Sequence, residues 1–183
     1  MPKGLRLVMC DVDCGSETPG MVKKVLAWRS ENPEKAEKNW KSLQAGNEKL
    51  AAELTRLATE GEDDGAAKYD KLREIILSNR SLIREMGEKS GVPIEPSQQT
   101  RLLDYCSQLD GVVGGVVPGA GGFDAIVLLV EDKEATIESL KKALESYQDL
   151  EAMGKVGVLG VREEMAGVKE EELGLYKEWK ELS

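Results

Sequence analysis

Residues 111–130 run GVVGGVVPGAGGFDAIVLLV, with six glycines in the first twelve positions, set against two apolar runs. A glycine in regular structure costs ~0.5–1 kcal/mol relative to alanine. An apolar segment that keeps six of them must follow a backbone path that side chains would obstruct. Two causes produce such a path: an anion held by backbone amides, or a neighbouring loop packed tightly against it. The flanking residues narrow the fold. A P-loop needs Lys after its glycines and then a helix, and a dinucleotide fingerprint lies between a strand and a helix. Here no Lys follows the glycines, and FDAIVLLV reads as a strand. The stretch therefore predicts two strands, 112–117 and 123–130, joined by residues 118–122.

The rest of the chain supplies the partners of those strands. Residues 5–12, LRLVMCDV, read as a buried strand. Thr18 is placed to cap a helix with Pro19 at its first position. Met21, Val22, Val25, Leu26 and Trp28 form the apolar face of that helix. Pro33 opens a longer helix in which Trp40, Leu43, Asn47, Leu50, Leu54 and Leu57 recur in steps of three and four. After an acidic turn at 61–65, Tyr69, Leu72, Ile76, Asn79, Ile83 and Met86 repeat the pattern. Two such seams predict an antiparallel helical hairpin, each seam too short for an autonomous coiled coil.

Gly91 and Pro93 end the hairpin. Ser97 caps a shorter helix carrying Leu102, Leu103, Cys106 and Leu109. Residues 131–150 form an amphipathic helix with Ile137, Leu140, Leu144 and Tyr147 inward, and 155–161 a last strand. Without the inserted helices the order is strand, helix, two strands, helix, strand. That is an α+β fold, a ferredoxin-like split β-α-β antiparallel sheet with an inserted helical hairpin. The expected domain is 1–168, with the insertion at about 33–90 and a charged tail at 169–183.

Composition excludes several functions. The net charge of −9 lacks the basic footprint of nucleic-acid binding. No run of about 18 apolar residues is long enough to span a membrane, and the N-terminus does not read as a signal peptide. There is no histidine, so histidine-based acid–base chemistry and the usual triads are excluded. Cys10, Cys14 and Cys106 have no metal-finger spacing and fit a reducing, cytoplasmic setting.

Two segments are candidates for binding. The amides of Gly119, Ala120, Gly121 and Gly122 are read as an anion nest with Asp124 at its edge; the alternative is a plain glycine-rich hairpin. The segment 11–19, DVDCGSETP, joins a strand end to a helix start, where free amides and the dipole attract anions. Ser16 and Thr18 add hydroxyl donors there; the alternative is ordinary capping.

Taken in order, DVDCGSETPGMVKKVLAWR, KSGVPIEP, LLD, PGAGGFDA and VREEMAGV resemble the C-terminal half of the phosphomevalonate kinase family, within the GHMP kinase superfamily. PGAGGFDA is similar to the third motif of that superfamily. The resemblance implies a GHMP-type C-terminal domain. It also implies ATP-dependent phosphorylation of 5-phosphomevalonate to 5-diphosphomevalonate, in the mevalonate route to isoprenoids and sterols. ATP and Mg²⁺ are implied for the complete enzyme.

On that resemblance Gly119, Ala120, Gly121 and Gly122 bind phosphate, Ser16 and Thr18 lie near the phosphate or carboxylate of the acceptor, and Asp124 holds the loop. No catalytic base and no metal ligand are assigned. The family's P-x-G-L-G-S-S-A segment, which wraps ATP, is absent from this sequence. The expectation is therefore a chain inactive without an N-terminal ATP-binding domain. An apolar face should be exposed where that domain docks, open to self-association. The alternative is a non-catalytic ligand-binding or interaction module that keeps the fold.

Overall fold

The computed structural model describes residues 1–12, 18–59, 67–148, 154–161, 167–168 and 170. Among them the elements run β1 (Leu5–Val12), α1 (Thr18–Glu31), α2 (Pro33–Thr59), α3 (Asp70–Ser90), α4 (Ser97–Cys106), β2 (Val112–Val116), β3 (Ala125–Glu131), α5 (Glu134–Ser146) and β4 (Val156–Val158). The strands form one sheet in the order β2-β3-β1-β4, every neighbouring pair antiparallel. This is the predicted α+β split β-α-β architecture. The acidic turn at 61–65, the segment 162–166, the end of the 131–150 helix and nearly all of the charged tail lie outside the described residues.

Strand alternation sorts the apolar residues between two layers. Val8, Cys10 and Val12 of β1 and Ile126, Leu128 and Val130 of β3 point to one face. There they pack on Leu102, Leu103 and Cys106 of α4 and on Ile137, Leu140 and Leu144 of α5. The helix that completes the split β-α-β pattern is thus α4. Burial pushes the Cys10 and Cys106 thiols up to about 12, which leaves both protonated and inert.

On the opposite face, Leu5, Val113 and Leu129 meet Tyr69, Leu72 and Ile76 of α3, with Leu50, Leu54 and Leu57 of α2 behind them. The hairpin therefore covers one end of the sheet. Its register is fixed by polar pairs as well as by apolar ones. Asn79 Nδ2 donates to Asn47 Oδ1 at 3.2 Å, and Asn39 Nδ2 donates to the Leu82 carbonyl at 3.1 Å.

Helix α1 joins this layer by packing on α2 and α3. Trp28 stacks on Trp40 with ring centroids 5.9 Å apart. Helix α1 and the hairpin thus form one layer. Of the predicted apolar face, Met21 and Trp28 are buried, whereas Val22 and Leu26 are exposed.

Helix ends differ from expectation where the backbone supplies the cap. Pro96, not Ser97, occupies the N-cap of α4, and Ser97 is its first helical residue. Glu131 closes β3, and α5 starts at Glu134 after an extended Lys133. Gly91 ends α3 in the left-handed conformation at φ 64°, as the Gly stop requires.

The hairpin also buries charge. Glu53 accepts from Arg56 Nε at 3.1 Å and lies 2.6 Å from Lys71 Nζ. The bonds from Arg56, reinforced by Lys71 and opposed by burial, hold its carboxyl down to about 2.

Candidate functional site: the glycine loop and its support

The loop between β2 and β3 turns back at residues 117–124. Gly119, Gly121 and Gly122 adopt φ of 65°, 86° and 110°. The Gly121 amide donates to the Pro118 carbonyl at 3.2 Å and closes a turn. The Gly122 amide donates to the Ile94 carbonyl at 3.0 Å. A Cβ on Gly121 would sit 2.6 Å from both Cα and Cγ2 of Ile94 and would clash with the Ile94 carbonyl oxygen. A Cβ on Gly119 would meet nothing within 4 Å.

The glycines are thus required for different reasons within one loop. Gly121 permits a close approach of two backbones, while Gly119 supplies a positive φ beside open space. Two of the four amides of the expected nest are already donated to protein carbonyls. Those of Gly119 and Ala120 have no backbone partner among the described residues.

The neighbouring strand of chain is the connection between α3 and α4, residues 91–96. Its anchor is Glu95, which accepts from Arg80 Nη2 at 2.7 Å, Arg84 Nη1 at 2.8 Å and Thr100 Oγ1 at 3.0 Å. Arg80 is 1% exposed and also reaches Asp104 Oδ1 at 2.8 Å. Burial alone would raise the Glu95 carboxyl, but the bonds from Arg80, Arg84 and Thr100 outweigh it and hold the group below the usual carboxylate range. Next to it Gln99 is fully buried and donates Nε2 to the Phe123 carbonyl at 2.6 Å. Phe123, which takes that bond, lies outside the ladder, and β3 begins at Ala125 instead of the expected 123.

Asp124 ties the loop through its backbone, its carbonyl accepting the Val12 amide at 2.7 Å. Its Oδ1 is shielded from solvent and has no hydrogen-bond partner among the described residues. The same Val12 bond brings the end of β1 to the end of the loop. Thr18 is the first residue of α1 and is exposed. Ser16, with the rest of 13–17, lies outside the described residues.

Beside the loop part of one sheet face is exposed. Register pairs Val116 with Val127 and Val127 with Met9, and Leu129 with Leu7, so these residues share the face turned away from α4 and α5. Leu7, Met9 and Val116 are 39%, 36% and 39% exposed. Behind Ile94 lies a groove of about 640 Å³ lined by Arg84, Val92, Pro93, Ile94, Glu95 and Arg101, among others.

Sequence reasoning missed Arg80, Glu95 and Gln99. PIEPSQQT reads as a turn before a helix, and no local signal marks a buried carboxylate whose arginine is fifteen residues away.

A helix-backed antiparallel sheet with this loop defines the class. The family of GHMP kinase C-terminal domains matches residues 66–149. A Lin0012 protein from Listeria innocua has the same fold, with a TM-score of 0.57 and 20% identity over 88% of this chain and 42% of that one. The chain carries a GHMP kinase C-terminal domain.

Within that class its sequence places it with the phosphomevalonate kinases. It is 47% identical to the Aspergillus fumigatus enzyme and 50% identical to that of Gibberella zeae, each over 98% of this chain. A phosphomevalonate kinase of Arabidopsis thaliana, named peroxisomal, is 35% identical over 84% of the chain and 35% of that relative. The chain spans 38% of the length of the two fungal relatives.

Proposed function

We propose that this domain forms one wall of an ATP-dependent phosphomevalonate kinase that converts 5-phosphomevalonate to 5-diphosphomevalonate in the mevalonate route to isoprenoids and sterols. The observation that carries the reading is the glycine loop itself. In a chain related to phosphomevalonate kinases, it keeps the Gly119 and Ala120 amides undonated to backbone and sets them beside an open apolar sheet face. Phosphoryl transfer depends on positioning and on donors aimed at charge spread over phosphate oxygens, so undonated amides on a fixed loop are the contribution such a wall makes. Ser16 and Thr18, following the strand end that meets the loop, are assigned to the phosphate or carboxylate of the acceptor.

ATP and Mg²⁺ belong to the other wall. Among the described residues no group of three or more His, Cys, Asp or Glu side chains would hold a metal ion. The ATP-binding domain is the partner proposed for the open face of Leu7, Met9 and Val116, and self-association through that face is the fate proposed for the chain alone. No described helix is long and apolar enough to cross a membrane, and the reaction is assigned to the cytoplasm. Interfaces between domains of one protein bury ~600–1,500 Å².

A coupled ADP-release assay tests the reading. The purified chain with ATP, Mg²⁺ and 5-phosphomevalonate should give no turnover above the protein-free control. Turnover by the chain alone would overturn its dependence on a second wall.

A further inference from the structure

The connection between α3 and α4, together with the first turn of α4, touches the glycine loop at three places. The Ile94 carbonyl accepts the Gly122 amide at 3.0 Å. The Ile94 backbone fills the space where a Gly121 side chain would go. Gln99 Nε2 holds the Phe123 carbonyl at 2.6 Å. These contacts sit at the returning half of the loop and leave the half with Gly119 and Ala120 facing outward.

The connection is itself pinned from below. Glu95 binds Arg80, Arg84 and Thr100 at once, so Ile94 cannot shift without breaking a buried ion network. Gln99 keeps its Oε1 buried with no hydrogen-bond partner among the described residues. Burying an amide oxygen unpaired is unfavourable. The bond from the other end of the same amide is what that placement secures.

We propose that Glu95 and Gln99 are positioning residues for the glycine loop. Glu95 fixes the Ile94 carbonyl, Gln99 fixes the Phe123 carbonyl, and the two clamps hold Gly121 to Phe123 in one conformation. The amides of Gly119 and Ala120 are thereby presented in a single geometry. This last step rests on the reading of the loop as a phosphate wall.

Amide hydrogen exchange on the ¹⁵N-labelled full chain tests the clamp without needing a ligand. Gln99→Met keeps the side-chain length and removes the bond; Glu95→Gln keeps the shape and weakens the hold of the arginines. In each variant exchange at Gly122 should quicken about tenfold, as loss of one hydrogen bond implies, while the amides of β3 keep their rates. Should Gln99→Met not fold, Glu95→Gln carries the same test. Unchanged exchange at Gly122 in a folded variant overturns the inference. So does equal acceleration throughout β3, which would mark a general stabilising role.

A second arm titrates 5-phosphomevalonate. The unaltered chain should show shifts at Gly119 and Ala120, with about tenfold weaker binding in Gln99→Met. Absence of shifts in the unaltered chain removes the phosphate reading alone, because the exchange rates still decide the clamp.

Discussion

Gly121→Val lowers the stability of the chain by about 3 kcal/mol and displaces the glycine loop from Ile94. Two effects add. A β-branched residue forced to φ 86° carries strain of ~1–3 kcal/mol. Its Cβ would also lie 2.6 Å from the Ile94 Cα, which is backbone and cannot rotate away. The loop must therefore open and release the bond between the Gly122 amide and Ile94. Urea unfolding reads the first effect, and the amide resonances of residues 119–123 read the second. Gly119→Ala is the control: it meets only the smaller positive-φ penalty of an unbranched residue and no neighbour within 4 Å, so its loss should be confined to about 1 kcal/mol. Equal losses at the two positions would mean that packing against Ile94 is not what Gly121 is for.

Arg80→Met destabilises by about 3 kcal/mol, through what it leaves behind more than through what it removes. Glu95 would stay buried with only Arg84 and Thr100 for partners, having lost two guanidinium donors at 2.7 and 3.1 Å. Breaking one side of a buried pair is costly for this reason, whereas replacing both sides with apolar groups of similar volume is often close to neutral. The double variant Arg80→Met, Glu95→Leu should therefore be more stable than the sum of the two single losses predicts. A double-mutant cycle by urea unfolding measures the coupling, expected at ~1–3 kcal/mol. Strict additivity would mean that the network acts as independent surface contacts.

The parts of the fold that depend on periodicity were legible in the residues. Val8, Cys10 and Val12 alternate toward α4 and α5, and Asn47 and Asn79, one from each hairpin seam, do meet. What was hidden depended on distant partners. Nothing local shows that Arg80 and Glu53 are buried: Arg56 sits one turn from Glu53, but Lys71 on the facing helix and the Glu95 that pairs with Arg80 arrive only with the fold. Val22 and Leu26 looked like core because they continue the stripe of Met21 and Val25, yet α1 lies on the hairpin through Trp28 and leaves them exposed.

The glycine loop was legible as a feature and ambiguous as a cause. Its six glycines announced an unusual backbone, and both offered explanations bear on different residues. At Gly121 and Gly122 a neighbouring loop accounts for them, since Ile94 occupies the space and accepts the amide. At Gly119 a Cβ would meet nothing within 4 Å, and the amides of Gly119 and Ala120 have no backbone partner among the described residues, so the anion reading rests on those two. Gln99 and Glu95, which hold the arrangement, carry no glycine-like signature and lie more than twenty residues before Gly121 in the chain.

The central claim is that this loop is a phosphate-binding wall, and its most direct test is a titration of the ¹⁵N-labelled chain with 5-phosphomevalonate followed by NMR. The account predicts saturable shifts centred on the amides of Gly119 and Ala120, with Gly121 and Gly122 moving less because their amides are already donated. Saturable shifts elsewhere on the domain with Gly119 and Ala120 unmoved, or no shifts at millimolar ligand, would contradict it.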